Sequence, residues 1–192
     1  GWQIGLERSF FNETVDAKFT YFNEKLENEI NGFVSIGGGL FSAENIDGTS
    51  RRKGLETEIG LILPFNLKLY SSYTYIDSTE LNQSVGRRLD EIRRPNHQAS
   101  FFADWSSTDG RLSLSSSVSY SGSFFDTDFS TFPSVREDME AYTLVGVNGS
   151  YLITDKFKTF FKIENILDEK YEELFAVNTY GTSAFLGFEL SF

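Results

Sequence analysis

The chain has 192 residues, 40% of them hydrophobic and 16% aromatic, with no cysteine, one histidine and a net charge of −11. That length suits one domain or part of a larger one, and the lack of cysteine removes disulfides and thiolate metal sites. The acidic balance argues against nucleic acid as a partner, because phosphates would meet a surface of like charge.

No basic and apolar leader of signal-peptide type opens GWQIGLERSF, and no run approaches the ~20 apolar residues of a membrane-spanning helix. Period-two alternation, in contrast, runs through the whole chain. It predicts nine strands, near 2–10, 14–24, 53–63, 67–77, 98–107, 111–121, 142–153, 157–165 and 184–192. Most are as long as the ~9–11 residues a tilted strand needs to cross a bilayer. The sixth shows the pattern most plainly. In RLSLSSSVSYSG, Ser113, Ser115, Ser117, Ser119 and Ser121 fall on one face and Leu112, Leu114, Val118 and Tyr120 on the other.

Short turns, FNE at 11–13, PFN at 64–66, STDG at 107–110 and TDK at 154–156, are rich in turn-forming residues. They alternate with long polar connections near 25–52, 78–97, 122–141 and 166–183. A membrane barrel has this asymmetry, with tight turns inside and long loops outside. One face of strands two to nine, from Val15, Ala17, Phe19 and Tyr21 to Ala184, Leu186, Phe188 and Leu190, carries no charge. The other carries Asp16, Lys18, Glu56, Glu58, Lys68, Asp104, Lys158, Lys162, Glu164 and Glu189. Aromatic residues fall at both ends of the apolar band. Trp2, Tyr21, Tyr75 and Tyr120 lie towards the long loops, and Trp105, Tyr151, Phe157 and Phe192 at the short turns, the pattern of an interfacial girdle.

The fold expected is therefore all-β: an antiparallel transmembrane β-barrel. The closing strand, AFLGFELSF, places Phe188, Leu190 and Phe192 on the lipid face, like the C-terminal signal by which the barrel-assembly machinery recognises outer-membrane barrels. With Phe192 at the periplasm, nine strands put Gly1 at the outer rim. Bacterial barrels have even strand numbers, so the chain reads as the C-terminal portion, 1–192, of a larger barrel.

The segment 164–192 resembles the C-terminus of TonB-dependent outer-membrane receptors, whose last two strands flank an element matched here by Asn165, Leu167, Asp168 and Tyr171. Arg94, Pro95 and His97, the run Gly54-Leu55-Glu56, and YFNEKLENEI at 21–30 are further points of similarity. SGSFFDTDFSTFP at 121–133 is similar to a loop of the cobalamin receptor subgroup. Tyr180-Gly181-Thr182 departs from the Pro-Gly-Arg of many relatives. The resemblance implies about nine strands of a 22-stranded barrel whose N-terminal plug and remaining strands precede Gly1. It implies energised uptake of a scarce, bulky nutrient, such as an iron–siderophore or cobalamin, in the outer membrane of a Gram-negative bacterium. The implied partners are outer-membrane lipid, the barrel-assembly machinery, TonB through the plug, and a small-molecule chelate; no cofactor is implied.

Enzymatic chemistry finds little purchase. His97 is the single histidine, and GGG at 37–39 lacks the Lys-Ser/Thr of a phosphate loop. In the loop after the sixth strand, Asp126 and Asp128 are candidate Ca²⁺ or substrate contacts, against a reading as solvated acids. Phe124, Phe125, Phe129 and Phe132 form either a ligand-facing surface or a self-packed loop. Lys158, Lys162 and Glu164 suggest an inward charge ladder. The small inward residues, the serine row with Gly60, Gly146 and Gly187, favour a wide barrel. Two other architectures fit the alternation: a small closed barrel with a structural or adhesive role, and a soluble β-sandwich binding module.

Overall fold

The computed structural model describes residues 1–45, 48–82 and 86–192, and every regular element in them is a strand. The principal strands are β1 (Trp2–Phe10), β2 (Val15–Glu27), β5 (Thr49–Leu63), β6 (Leu67–Asn82), β8 (His97–Ser106), β9 (Leu112–Ser121), β12 (Tyr142–Thr154), β13 (Phe157–Glu164) and β14 (Ser183–Leu190). They join in that order into one antiparallel sheet, each bonded to the next. Short strands decorate the long connections: β3 (Ile30–Gly37) pairs with β4 (Leu40–Asn45), β7 (Arg87–Asp90) adds to β6, and β10 (Phe124–Asp128) pairs with β11 (Val135–Met139).

The nine strands of the sheet path are the nine segments marked by alternation, but three are longer than the sequence pattern shows. β2 runs on to Glu27, β5 begins at Thr49, and β6 continues to Asn82. These ends, such as Thr49-Ser50-Arg51-Arg52-Lys53, are polar on both faces. Alternation reports a strand only where one face leaves water, so strand ends that stand in water on both sides are silent. Likewise, three of the four long connections carry strands of their own. Residues 46, 47 and 83–85, within the connections near 25–52 and 78–97, lie outside the described residues.

Register keeps the apolar positions together across every pair. Val15 lies opposite Leu61, and Leu61 opposite Leu69 and then Ala103. Phe101 lies opposite Val118, Val118 opposite Val145, Val147 opposite Ile163, and Ile163 opposite Ala184. Because the side-chain period is two, a slip of one residue anywhere would move a whole strand's apolar set to the polar side. In β1 the same face carries Trp2, Ile4, Leu6 and Phe10, with Arg8 near the short-turn end. The Arg8 guanidinium lies 5.2 Å from the centre of the Phe10 ring.

This apolar face has no protein cover. Leu6 is 70% exposed and Leu186 71%, and Phe124 and Met139 are the only buried hydrophobic residues among those described. The accessible surface is 13,579 Å², whereas a folded soluble monomer of this mass exposes about 9,300 Å². Among the described residues the other sheets have two strands each. A sandwich would cover this face with a second large sheet.

On the polar face, the expected open space is partly filled. The Phe160 ring sits directly over Gly187, where a Cβ would come within 2.2 Å of it, and Tyr70 lies 3.7 Å from the same point at Gly60. These glycines are seats for rings. Gly54 is a third close approach: a Cβ there would meet the Tyr75 carbonyl oxygen at 2.0 Å and the Phe22 ring at 2.8 Å.

Candidate functional site

All four long connections leave from one edge of the sheet, and polar contacts bind them to one another. The connection between β7 and β8, residues 91–96, is the hub. Glu91, only 6% exposed, accepts two hydrogen bonds from Arg52 Nε at 3.1 and 3.0 Å and pairs with Arg94 at 2.7 Å. Arg52 also reaches Glu29 at 2.9 Å, and Ser50 donates to the same carboxylate. Burial alone would push the Glu91 carboxyl up, but the nearby Ser78 hydroxyl, the Arg52 hydrogen bonds and the charges of Arg52 and Arg94 together outweigh it and hold the group below its ordinary value.

Two residues on, Arg93 turns the hub towards the β10–β11 hairpin. Its Nε donates to Asp126 Oδ1 at 2.7 Å, and its backbone N–H donates to the Phe125 carbonyl at 2.6 Å. Asp126 is 1% exposed and saturated: Thr127 N–H also donates to Oδ1 at 2.8 Å, and Phe175 N–H to Oδ2 at 2.8 Å. One carboxylate thus joins the connection after β7, the hairpin, and the connection between β13 and β14. Burial opposes its ionisation, and these three donors more than compensate, so its pKa lies below the usual range. Arg136 completes the seam, donating to the Asp90 carbonyl at 2.6 Å while its guanidinium lies 4.1 Å from the Phe125 ring centre.

The candidate ligand contacts therefore separate into two groups. Phe124, 8% exposed, packs inside the hairpin opposite Met139, and Asp126 faces protein donors on every side. A cation at Asp126 would meet the Arg93 guanidinium, and among the described residues no three His, Asp or Glu side chains converge on a metal position. Asp128 accepts a hydrogen bond from the Ser130 N–H at 2.7 Å and shapes the tip. Phe129 and Phe132, at 71% and 102% exposure, project from that tip.

The element matched by Asn165, Leu167, Asp168 and Tyr171 closes the connection between β13 and β14. Asn165, 7% exposed, donates through Nδ2 to the Glu169 and Tyr180 carbonyls and accepts from the Glu169 N–H. Asp168 Oδ1 accepts from Thr182 N–H at 3.1 Å and lies 2.5 Å from where a Gly181 Cβ would be. Hence the glycine of Tyr180-Gly181-Thr182 stays although its neighbours differ from the usual pattern. The Tyr171 ring lies 4.7 Å from that of Tyr142, docking this connection on β12, and Leu167 is exposed.

On the polar sheet face, Lys162 pairs with Glu164 at 2.5 Å, Lys158 stands opposite Glu189, and Lys18 meets Glu58 at 3.0 Å. The rims of the apolar face also form rows. Trp2 and Tyr21 lie 5.4 Å apart, Ile4, Tyr21, Leu55, Tyr75 and His97 align across five strands, and Tyr120 stands beside Ala99 one row below. At the short-turn edge, Trp105 pairs with Leu67, Tyr151 with Leu112, and the Phe157 and Phe188 rings lie 5.8 Å apart; Phe192 is fully exposed. Sequence reasoning missed Glu29, Arg52, Glu91, Arg93 and Arg136. The charge-dense run Arg87-Arg88-Leu89-Asp90-Glu91-Ile92-Arg93-Arg94 was the signal available.

A family model described as TonB dependent receptor-like, beta-barrel, matches residues 1–166. The vitamin B12 transporter BtuB of Vibrio cholerae is 26% identical over 151 residues, which are 75% of this chain and 22% of that protein. The ferrichrome outer membrane transporter/phage receptor of Escherichia coli K12 is 29% identical over 153 residues, 75% of this chain and 19% of that protein. Among solved structures, the pyoverdine outer membrane receptor FpvA of Pseudomonas aeruginosa superposes with a TM-score of 0.76 at 16% identity, covering 99% of this chain and 29% of the receptor. The ferric enterobactin receptor of the same species gives 0.72 at 22% identity, covering 99% and 30%. The chain thus spans less than a third of the length of each, and these relatives are transporters and receptors.

Proposed function

Because the chain belongs to the TonB-dependent receptor β-barrel family, whose model matches residues 1–166, we propose that its nine-stranded sheet is the C-terminal part of a receptor for TonB-driven uptake across the outer membrane. The observation that carries this reading is the uncovered apolar face, uncharged from β2 to β14 between its two aromatic rims. In hydrocarbon, a charge at mid-depth on such a face costs about 2–4 kcal/mol. The aromatic rows at Trp2, Tyr21, Tyr75 and Tyr120, and at Trp105, Tyr151, Phe157 and Phe192, are its interfacial girdles. Phe188, Leu190 and Phe192 present the assembly signal.

The polar face then lines the lumen against a plug, and the clamped connections form the outer mouth. Phe129 and Phe132 supply apolar contacts to an incoming chelate, while Asp126 and Phe124 hold the hairpin that presents them. Siderophore–iron complexes and cobalamin are the substrate classes of the related transporters and receptors, and a chelate of one of these classes is the proposed cargo. The test is uptake by the complete receptor in cells lacking their own siderophore and cobalamin receptors. Labelled ferric siderophores and cobalamin should show one accumulated class, with accumulation lost when TonB is removed. Uptake indifferent to TonB, or no uptake of either class, would contradict the reading.

A further inference from the structure

Charge is divided unevenly among the four long connections. Residues 25–52 and 78–97 hold seven carboxylates and seven cations, an even balance. Residues 122–141 and 166–183 hold nine carboxylates against two cations, Arg136 and Lys170, a net of −7 in a chain whose total is −11. The fold brings these two acidic connections together, since Asp126 of one accepts from the Phe175 N–H of the other at 2.8 Å. Between them, at the foot of the hairpin that carries Phe129 and Phe132, lies a cleft of about 770 Å³. Asp138, Glu140, Glu169 and Glu172 line it beside Tyr142 and Tyr171, whose rings lie 4.7 Å apart.

We propose that this mouth admits a chelate of zero or positive charge and excludes polyanionic chelates. The inference rests on the uptake reading above and narrows its cargo. A polyanionic chelate needs cations turned towards it, and the arginines of the clamp are spent inside the protein. Arg93 is bound to Asp126, Arg52 and Arg94 to Glu91, and Arg136 to the Asp90 carbonyl and the Phe125 ring. Lys170 follows Glu169 and precedes Glu172 and Glu173 in the chain, so it is outnumbered where it stands. Carboxylates, in contrast, are left over. Glu140 and Glu173 are exposed and make no hydrogen bond or ion pair among the described residues. The Tyr171 phenol registers the excess, since burial and the charges of Glu173 and Glu164 push it up. A ligand of like charge is repelled from such a surface, whereas a neutral or opposite one meets no such penalty. Phe129 and Phe132 add apolar contacts that carry no charge, and the rings of Tyr142 and Tyr171 suit a cationic group.

The experiment uses the complete receptor in detergent, with a fluorophore on Asn178→Cys, a position that lines the cleft. Nitroxide quenchers of one size and three charges, cationic, neutral and anionic, read the sign of the field there. At low ionic strength the cationic quencher should act about fivefold more strongly than the anionic one, and in about 1 M salt the two should act alike. Glu140→Gln with Glu173→Gln should lower the ratio to about threefold. Equal quenching at low salt, or an advantage for the anion, would overturn the proposal. Uptake is the second arm, in cells lacking their own siderophore and cobalamin receptors. A neutral ferric trihydroxamate or cobalamin should accumulate, and a trianionic ferric tris-catecholate should not. Accumulation of the trianion would overturn the proposal even where the quenching ratio holds. Accumulation of no chelate would contradict the uptake reading, and the quenching ratio would still decide the sign of the mouth.

Discussion

β9 and the β10–β11 hairpin follow each other in the chain and are built on opposite plans. β9 presents Leu112, Leu114, Val118 and Tyr120 to the uncovered side and its serine row to the other, with Leu114 38% and Tyr120 40% exposed. A few residues later, the hairpin closes over Phe124 and Met139 and buries a charged carboxylate among three donors. The sheet hides nothing inside the protein, as the proposed lipid-facing surface requires. The connections stand in water and must make their own interior, and with little apolar material they make it from arginine and carboxylate. Substitutions should therefore act by opposite rules in the two regions.

The largest contrast is expected at mid-sheet. Val147→Arg, in the row of Ser116 and Ile163, should destabilise the barrel by about 2–4 kcal/mol in urea titrations of the vesicle-inserted receptor. The same change at Ser115, one residue round on the wet face, should cost less than about 1 kcal/mol. Equal costs would break the distinction between the faces.

Next comes the clamp. Asp126→Ala removes three hydrogen bonds to an ionised group and should cost the connections about 2 kcal/mol or more. The measurement is hydrogen exchange: the Phe175 and Thr127 amides should exchange faster while the amides of β8, β9 and β12 do not change. Faster exchange throughout the sheet would mean that the two regions are one cooperative unit.

Acid should separate the regions in the same way. Glu91 and Asp126 both have folded pKa values below their ordinary ones. Their contribution is then fully present above the ordinary carboxylate range and is lost as pH falls through the depressed values. Exchange at the Phe175 amide should be unprotected by acid only below about pH 4, with no step between pH 8 and about pH 5. Loss of protection near neutral pH would contradict these carboxylates as the tie.

The smallest effect on stability is expected at the tip. Phe129→Ala should leave unfolding within about 0.5 kcal/mol, because the ring touches mostly solvent. Uptake should nevertheless weaken if the ring meets the chelate, and unchanged uptake would remove Phe129 from the proposed contact surface.

What the sequence revealed divides along the same line. Every principal strand was legible, because a sheet with one wholly apolar face forces strict alternation, and Val15 to Leu190 obey it. The extensions at Glu27, Thr49 and Asn82 were not, since charges such as Lys53 and Asp77 stabilise a strand without leaving a periodic trace. The loop cluster was read by residue type, which singled out Asp126 but not its burial. That burial depends on Arg93, Thr127 and Phe175, which come from three different connections, and no local pattern reports such a meeting. Asn165 and Asp168 were found through resemblance alone. Their work, closing a connection onto the Glu169 and Tyr180 carbonyls and the Thr182 amide, is visible only in three dimensions.

The central claim is that the apolar face of the sheet meets lipid and the serine face does not. The chain has no cysteine, so single cysteines can be placed in turn at 112–121 of the complete receptor in vesicles, labelled with a fluorophore and quenched by brominated acyl chains. The account predicts a period of two, with strong quenching at 112, 114, 116 and 118 and weak quenching at 113, 115, 117 and 119. Uniform quenching along β9, or the opposite phase, would contradict it.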